Sequence, residues 1–299
     1  MKKIRKIIVV VGPTATGKTE LALNIADKFN TYIISGDSMQ IYRHFHVGTA
    51  QPDLSKINIP YHLVNILEPE QKFSAYDFKI SANEIINKNQ TIPVIAGGTG
   101  FYINSFLNNY SLGYLDESSY QDFLSLNEHL NLSELKNRLK EKDPLAAQTV
   151  DLNNKRRVLR ALAIKELTGK SINEQILSVP DFDPFLIGLN TNRSALYERI
   201  ELRVDQMMNR GLLDEAEQVY NNRQKYPLLS TAIAYKEFFP YFDNTSDLNS
   251  SVELLKQKSR NYAKRQLTWF RNKMQVHWYD ISEPNFYEQV ICEIGSWLG

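Results

Sequence analysis

The sequence holds one cysteine, Cys292, in 299 residues. A single thiol can form no internal disulfide and build no cysteine zinc site, which fits a reducing, cytoplasmic compartment. It falls among Val290, Ile291, Ile294, Trp297 and Leu298 at helical spacing, so a packed thiol is expected and not a nucleophile. Excess charge is equally scarce: 35 Lys and Arg against 34 Asp and Glu leave a net +1. The whole molecule therefore has no bias toward nucleic acid or membrane, and an anionic partner must be met by local patches. No stretch approaches the roughly 18 apolar residues of a membrane span. The basic start, Met1 to Ile7, mimics a signal peptide, but its apolar run, Ile7 to Val11, stops at Gly12-Pro13, so no secretion signal is expected. Internal repeats and low-complexity tracts are missing as well.

What is present begins with Gly12-Pro13-Thr14-Ala15-Thr16-Gly17-Lys18-Thr19, between that apolar run and the helical-looking Glu20-Leu21-Ala22-Leu23. The pattern G-x-x-x-x-G-K-[ST] between strand and helix presents backbone N–H groups and a helix start to an anion, with a lysine and a metal-binding hydroxyl. A chance match in a chain this long is about a one-in-a-hundred event, and the correct flanks lower that further. Phosphate binding follows, but the reaction stays open.

The 42% hydrophobic and 23% charged residues suit a sizeable core and one or two domains. Leu21, Ala22, Ile25, Ala26 and Phe29 share a helical face, and Tyr32 to Ser35 follows as a strand. A parallel sheet with right-handed crossovers is the default geometry of such a unit, with ligands at the carboxyl ends of the strands. Further strands are expected at Leu63 to Ile66, Thr91 to Ala96, Phe185 to Leu189 and Val276 to Tyr279. Helices are expected over Ser74 to Asn87, Ser194 to about Asn209 and Ser251 to Lys273, with one more at the C-terminus. Gly97 to Tyr102 reads as a glycine-bearing loop. From about 113 to 178 apolar residues thin out, and helices such as Ser133 to Lys142 and Asn153 to Leu167 dominate. The fold class is α/β: a P-loop parallel-sheet core from 1–112 and 180–299, interrupted by a helical insertion over 113–179.

A mononucleotide kinase or ATPase would carry a metal-holding carboxylate at the end of a second core strand. Here that end is Ala96-Gly97-Gly98, without an acid. The carboxylate well placed on a strand end near the loop is Asp37, as metal ligand or as general base. Arg199 and Arg203, four apart, project together from the helix after Ser194. The run from Lys256 to Lys273 holds seven basic residues and no acid, interleaved with Tyr262, Trp269 and Phe270; those aromatics either stack on bases or pack the core. His44 and His46 alternate without a third ligand nearby and read as surface or structural residues.

Six segments together resemble the tRNA dimethylallyltransferase family: Gly12 to Thr19, Asp37-Ser38-Met39-Gln40-Ile41-Tyr42, Gly48-Thr49-Ala50, Gly97 to Tyr102, Arg157 to Leu162, and Ala263 to Arg271. The match runs from about residue 7 to 280 in the family's order. The resemblance implies prenylation of the exocyclic amine of the adenine just 3′ of the anticodon. It implies that Gly12, Pro13, Thr14, Ala15, Thr16, Gly17, Lys18 and Thr19 hold the diphosphate of dimethylallyl diphosphate, with Mg²⁺ bound through Thr19. Asp37 would take the amine proton, Thr14 and Thr99 would orient the reacting groups, and Arg203 would contact the diphosphate. The anticodon stem-loop of tRNA would meet Asp37, Ser38, Met39, Gln40, Thr99, Arg156, Arg157, Val158, Leu159, Arg160, Lys264 and Arg265, the insertion serving in tRNA binding. The physics agrees: a departing diphosphate needs amide donors, a lysine and a metal, and a delocalised amine benefits from a base. The target base must leave its stack to reach such a pocket. A monomer acting away from membranes is expected.

The sequence departs from the family where Ala234 replaces a usual glycine, Tyr61 and Asn65 a histidine and an aspartate, and Gln51 a lysine. These changes are expected to touch the RNA side more than the diphosphate side. The zinc-finger extension of some eukaryotic relatives is absent, which points to a bacterial or organellar type. Three other readings compete: transfer to free adenosine phosphates, a P-loop small-molecule kinase, and a nucleotide-binding RNA chaperone without catalysis.

Overall fold

Strand β1 (Arg5–Val11) carries the unbroken apolar run Ile7 to Val11 because both faces of that stretch are covered. Ile7, Val9 and Val11 enter one core cluster, while Ile8 and Val10 enter another on the opposite face. The computed structural model describes residues 4–110, 115–174 and 181–299. It divides into two compact units, Met1–Leu107 with Asp181–Gly299, and Asn108–Pro180.

In the first unit, helix α1 (Lys18–Lys28) leads from β1 to β2 (Ile33–Ser35), followed by β3 (Tyr61–His62), α2 (Ala75–Lys88), β4 (Val94–Ala96) and α3 (Gly100–Leu107). The second unit consists of α4 (Glu117–Asn127), α5 (Leu132–Lys142), α6 (Pro144–Thr149) and α7 (Lys155–Thr168). The chain then returns through β5 (Phe182–Asn190), α8 (Arg193–Asn209), α9 (Leu212–Asn221), the short α10 (Phe239–Phe242), α11 (Leu248–Lys273), β6 (His277–Asp280) and α12 (Phe286–Leu298).

The strands form one sheet in the order β3-β2-β4-β1-β5-β6, every pair parallel, with Val10 opposite both Ala96 and Ile187. All six carboxyl ends thus lie along one edge. The chain winds to one side of β1 through β2, β3 and β4 and to the other through β5 and β6, so the loop after β1 sits where a doubly wound sheet binds its ligand. Phe78 of α2 and Phe106 of α3 cover one face; Leu21 and Ile25 of α1 and Val290 and Ile294 of α12 cover the other. The helical unit has its own core of Phe123, Leu135, Leu139, Ala146, Val158, Ala161 and Leu162. Its α7 ends at Gly169, whose φ of 74° is a left-handed helix stop.

Three local expectations change. The strand anticipated over Leu63 to Ile66 is instead Tyr61–His62, because Leu63 and Asn65 take φ of 58° and 56° and turn the chain out of register. Gly97 to Tyr102 is only in part a loop: Gly100 begins α3, and it is glycine because a Cβ there would stand 2.3 Å from the Trp269 ring. Cys292 is exposed and not packed, on the side of α12 away from the buried Val290 and Ile294.

Candidate active site

The phosphate loop is fastened from several directions. Thr16 Oγ1 and Lys18 Nζ both donate to the Pro13 carbonyl, at 2.9 and 2.7 Å. Arg199 Nε donates to the Ala15 carbonyl at 2.8 Å, and Ala15 packs beside Leu196, Ile200 and Ala263. Gly17 takes φ of 83° at the N-cap of α1, and no side chain caps that helix, so its first amides stay open toward the loop. Arg199, noted in sequence only as projecting beside Arg203, is therefore a clamp on the loop.

Asp37 lies just past the carboxyl end of β2. Its Oδ1 accepts the Met39 N–H at 3.0 Å, and the Ser38 N–H donates to Thr99 Oγ1 at 3.0 Å. That pairing brings the ends of β2 and β4 together. It requires Gly97 to lack a side chain, since a Cβ would fall 2.3 Å from the Gly36 carbonyl carbon. Burial pushes the Lys18 ammonium down to about 8, the Arg203 guanidinium beside it acting in the same direction and Asp37 against it. Burial likewise lowers Arg203 from its ordinary value, against the pull of Asp37. Lys18, Arg203 and Asp37 therefore feel one another's charge.

Asp37 and Arg203, with Thr14 of the phosphate loop, line a cavity of about 280 Å³. Its polar end carries Thr14, Asp37, Ser38 and Arg203; Ile200, Val204 and Met207 of α8 and Leu255 of α11 line it with apolar surface. Tyr262, Ala234 and Tyr235 line it as well, with Gly48 packed directly against the Tyr235 ring and Thr49 next to it in the lining. Ala234 holds φ of 92°, so the glycine region is kept here by an alanine, and its N–H donates to buried Glu237 at 3.0 Å. Burial raises the Glu237 carboxyl above the usual carboxylate range.

The residues expected to meet RNA separate into groups. Arg156, Arg157, Lys264 and Arg265 are exposed. Val158 is fully buried in the helical core and Leu159 packs against it, so Val158 is a core residue and its side chain is closed to RNA. Arg160 stacks over Tyr120, 4.9 Å from its ring centre. Gln40 is buried too: its Oε1 accepts from Ser35 Oγ at 3.0 Å and its Nε2 donates to the Ala50 carbonyl at 3.1 Å, which fastens the 48–50 loop. Phe270 is core and Trp269 packs against that same core, so these two aromatics do not await bases. Lys256 and Arg260 pair with Asp205 and Glu201 of α8, at 2.9 and 2.6 Å, leaving the outer end of α11 as its basic surface.

Two departures take on new meaning. Gln51 is buried, donating to the Tyr42 carbonyl at 2.6 Å and meeting His46 Nδ1 at 2.8 Å. The Tyr61 hydroxyl lies beside the Thr19 side chain and feels the Asp37 charge. Tyr61 thus stands on the phosphate side of the site and not, as expected, on the RNA side. Sequence reasoning also passed over Gln266, which reaches the phosphate loop from α11. Its only signal was its place inside a motif quoted for other residues.

Sheet and loop together make this a P-loop protein, one in which glycines stand at the strand end where an acid usually does. An IPP transferase family model matches residues 40–273, and an isopentenyl transferase model matches residues 5–60. A tRNA dimethylallyltransferase of Lactobacillus helveticus is 42% identical over 306 residues, covering 98% of this chain and 99% of its own. The crystal structure of a tRNA delta(2)-isopentenylpyrophosphate transferase from Staphylococcus epidermidis is 39% identical, covers 98% of both chains, and superposes with a TM-score of 0.70. A eukaryotic dimethylallyltransferase solved acting on tRNA is 29% identical with a TM-score of 0.84, over 98% of this chain and 79% of that one. The chain belongs to the IPP transferase family, whose curated relatives are tRNA dimethylallyltransferases. Among the described residues no helix is long and apolar enough to cross a membrane.

Proposed function

We propose that the protein transfers a dimethylallyl group from dimethylallyl diphosphate to N6 of the adenine 3′-adjacent to the anticodon of tRNA. The observation that carries this reading is the cavity itself: an apolar chamber whose polar end joins the phosphate loop, Arg203 and Asp37. A prenyl donor needs both halves, an anion site for its diphosphate and apolar surface for its five-carbon chain.

In this reading the diphosphate lies against the open amides of α1, Lys18 and Arg203, which stabilise the negative charge that grows as the C1–O bond breaks. Ile200, Val204, Met207 and Leu255 shield the allylic carbon from water. N6 bonds to C1, the diphosphate departs, and Asp37 receives the amine proton. Among the described residues no cluster of three or more His, Cys, Asp or Glu is arranged to cage a metal. The Thr19 hydroxyl beside the phosphate loop is a donor of the kind that suits Mg²⁺, which binds through a few protein oxygens, substrate phosphates and water. Thr19, with Asp37 near by, would hold it, and it would supply further charge stabilisation to the leaving group. The exposed Arg156 and Arg157 of the helical unit, and Lys264 and Arg265 of α11, supply phosphate contacts for the anticodon stem-loop.

The test is mass spectrometry of tRNA nucleosides after incubation of unmodified tRNA, Mg²⁺ and dimethylallyl diphosphate with wild type and Asp37→Ala. A prenylated adenosine from the wild type, falling about 10²-fold or more in rate with Asp37→Ala at little loss of tRNA affinity, is the expected outcome. No such nucleoside from wild type would end the reading, and an unchanged rate would remove Asp37 as the base.

A further inference from the structure

Gln266 is a buried amide in the middle of a basic helix. It follows the exposed Lys264 and Arg265, yet only 6% of it reaches solvent. A buried primary amide needs partners at both of its ends. Its Oε1 accepts the Thr14 N–H at 2.9 Å, and its Nε2 donates to the Gly98 carbonyl at 3.0 Å. A side chain on Gly98 would collide with it, the Cβ falling 2.3 Å from Nε2. The Tyr262 hydroxyl, one turn earlier on α11, lies beside the same amide.

The two ends of that amide hold the two ends of the reaction. Thr14 belongs to the phosphate loop and lines the cavity. Gly98 precedes Thr99, whose hydroxyl takes the Ser38 N–H next to Asp37. One side chain therefore ties the leaving-group end of the site to the base end. Bond formation needs the reacting atoms about 3–3.5 Å apart and aligned, and an ångström of misplacement can lower the rate about 10²-fold.

We propose that Gln266 is a positioning residue that sets the register between prenyl donor and acceptor amine by fixing the phosphate loop to the Gly98–Thr99 turn. The inference rests on the transfer reaction proposed above. Loss of that register uncouples the two halves of the reaction. The C1–O bond still breaks and diphosphate still leaves, but a water oxygen bonds to C1 and releases its proton to solvent. Dimethylallyl alcohol and diphosphate then form in place of prenylated base.

The test uses the full chain as wild type, Gln266→Leu and Gln266→Glu, with unmodified tRNA, Mg²⁺ and dimethylallyl diphosphate, counting diphosphate released and adenine prenylated. Leucine removes both hydrogen bonds at similar volume, whereas glutamate keeps an acceptor for the Thr14 N–H and loses the donor for Gly98. Wild type should release one diphosphate per prenylated adenine. Gln266→Leu should lower kcat tenfold or more, leave KM for tRNA within twofold, and release at least two diphosphates per prenylated adenine, with Gln266→Glu in between. A ratio of one in both variants, or an unchanged kcat in both, overturns the inference. If leucine prevents folding, the glutamate variant decides on the same ratio. A wild type that prenylates nothing fails the transfer reading instead.

Discussion

At the phosphate loop, Lys18 sits between a guanidinium and a carboxylate, and burial brings its ammonium down to about 8. A bound diphosphate demands the charged form. Affinity for a non-reactive diphosphate should therefore be flat below pH 8 and fall as pH rises through that value, approaching tenfold per unit, because binding must first return the proton. In the free protein the sign reverses: between 8 and the ordinary 10.5 the unfolded chain holds more protons, so stability rises with pH across that window. Calorimetric titration from pH 7 to 10 checks the first statement, and Lys18→Ala should abolish the pH dependence. The loop and Asp37 were legible in sequence because each sits in a motif whose chemistry is local, whereas Arg203 came only from the family resemblance. Gln266 was not, since it and Thr14 lie 252 residues apart and only folding joins them. Tyr61 was misread for the same reason: its neighbour Thr19 belongs to another element.

Among the elements, α11 has two working faces. Its inner face supplies Gln266 and Phe270, while Lys264 and Arg265 stand on its outer face. Replacing both cations with alanine should weaken tRNA binding about tenfold and reduce the slope of log affinity against log salt by roughly 1.5. KM for dimethylallyl diphosphate should stay within twofold, and filter binding across a salt series reads both quantities. Periodicity revealed the helix, but not that Asp205 and Glu201 of α8 neutralise Lys256 and Arg260 along it. The strands were plain because parallel strands buried on both faces are written in continuous Val and Ile. Helix α3 was hidden by Gly100, whose reason is a tryptophan ring and not a turn.

At the scale of the molecule, the helical unit keeps its own core, which shares no residue with the clusters on either face of the sheet. Leu135→Ala, at a fully buried position of that core, should cost about 2–5 kcal/mol there. We expect an earlier thermal transition of the helical unit and weaker tRNA binding, while a diphosphate still binds the phosphate loop within twofold of wild type. A helical-signal melt and a calorimetric titration on one sample separate the two. The exposed Cys292 has a different kind of consequence. A molecule with one thiol accepts one maleimide dye at one known place, so fluorescence can follow tRNA arrival without any engineered cysteine. By the same arithmetic, oxidation in air can join two copies and no more, which gives the purified protein a built-in ceiling on covalent aggregation.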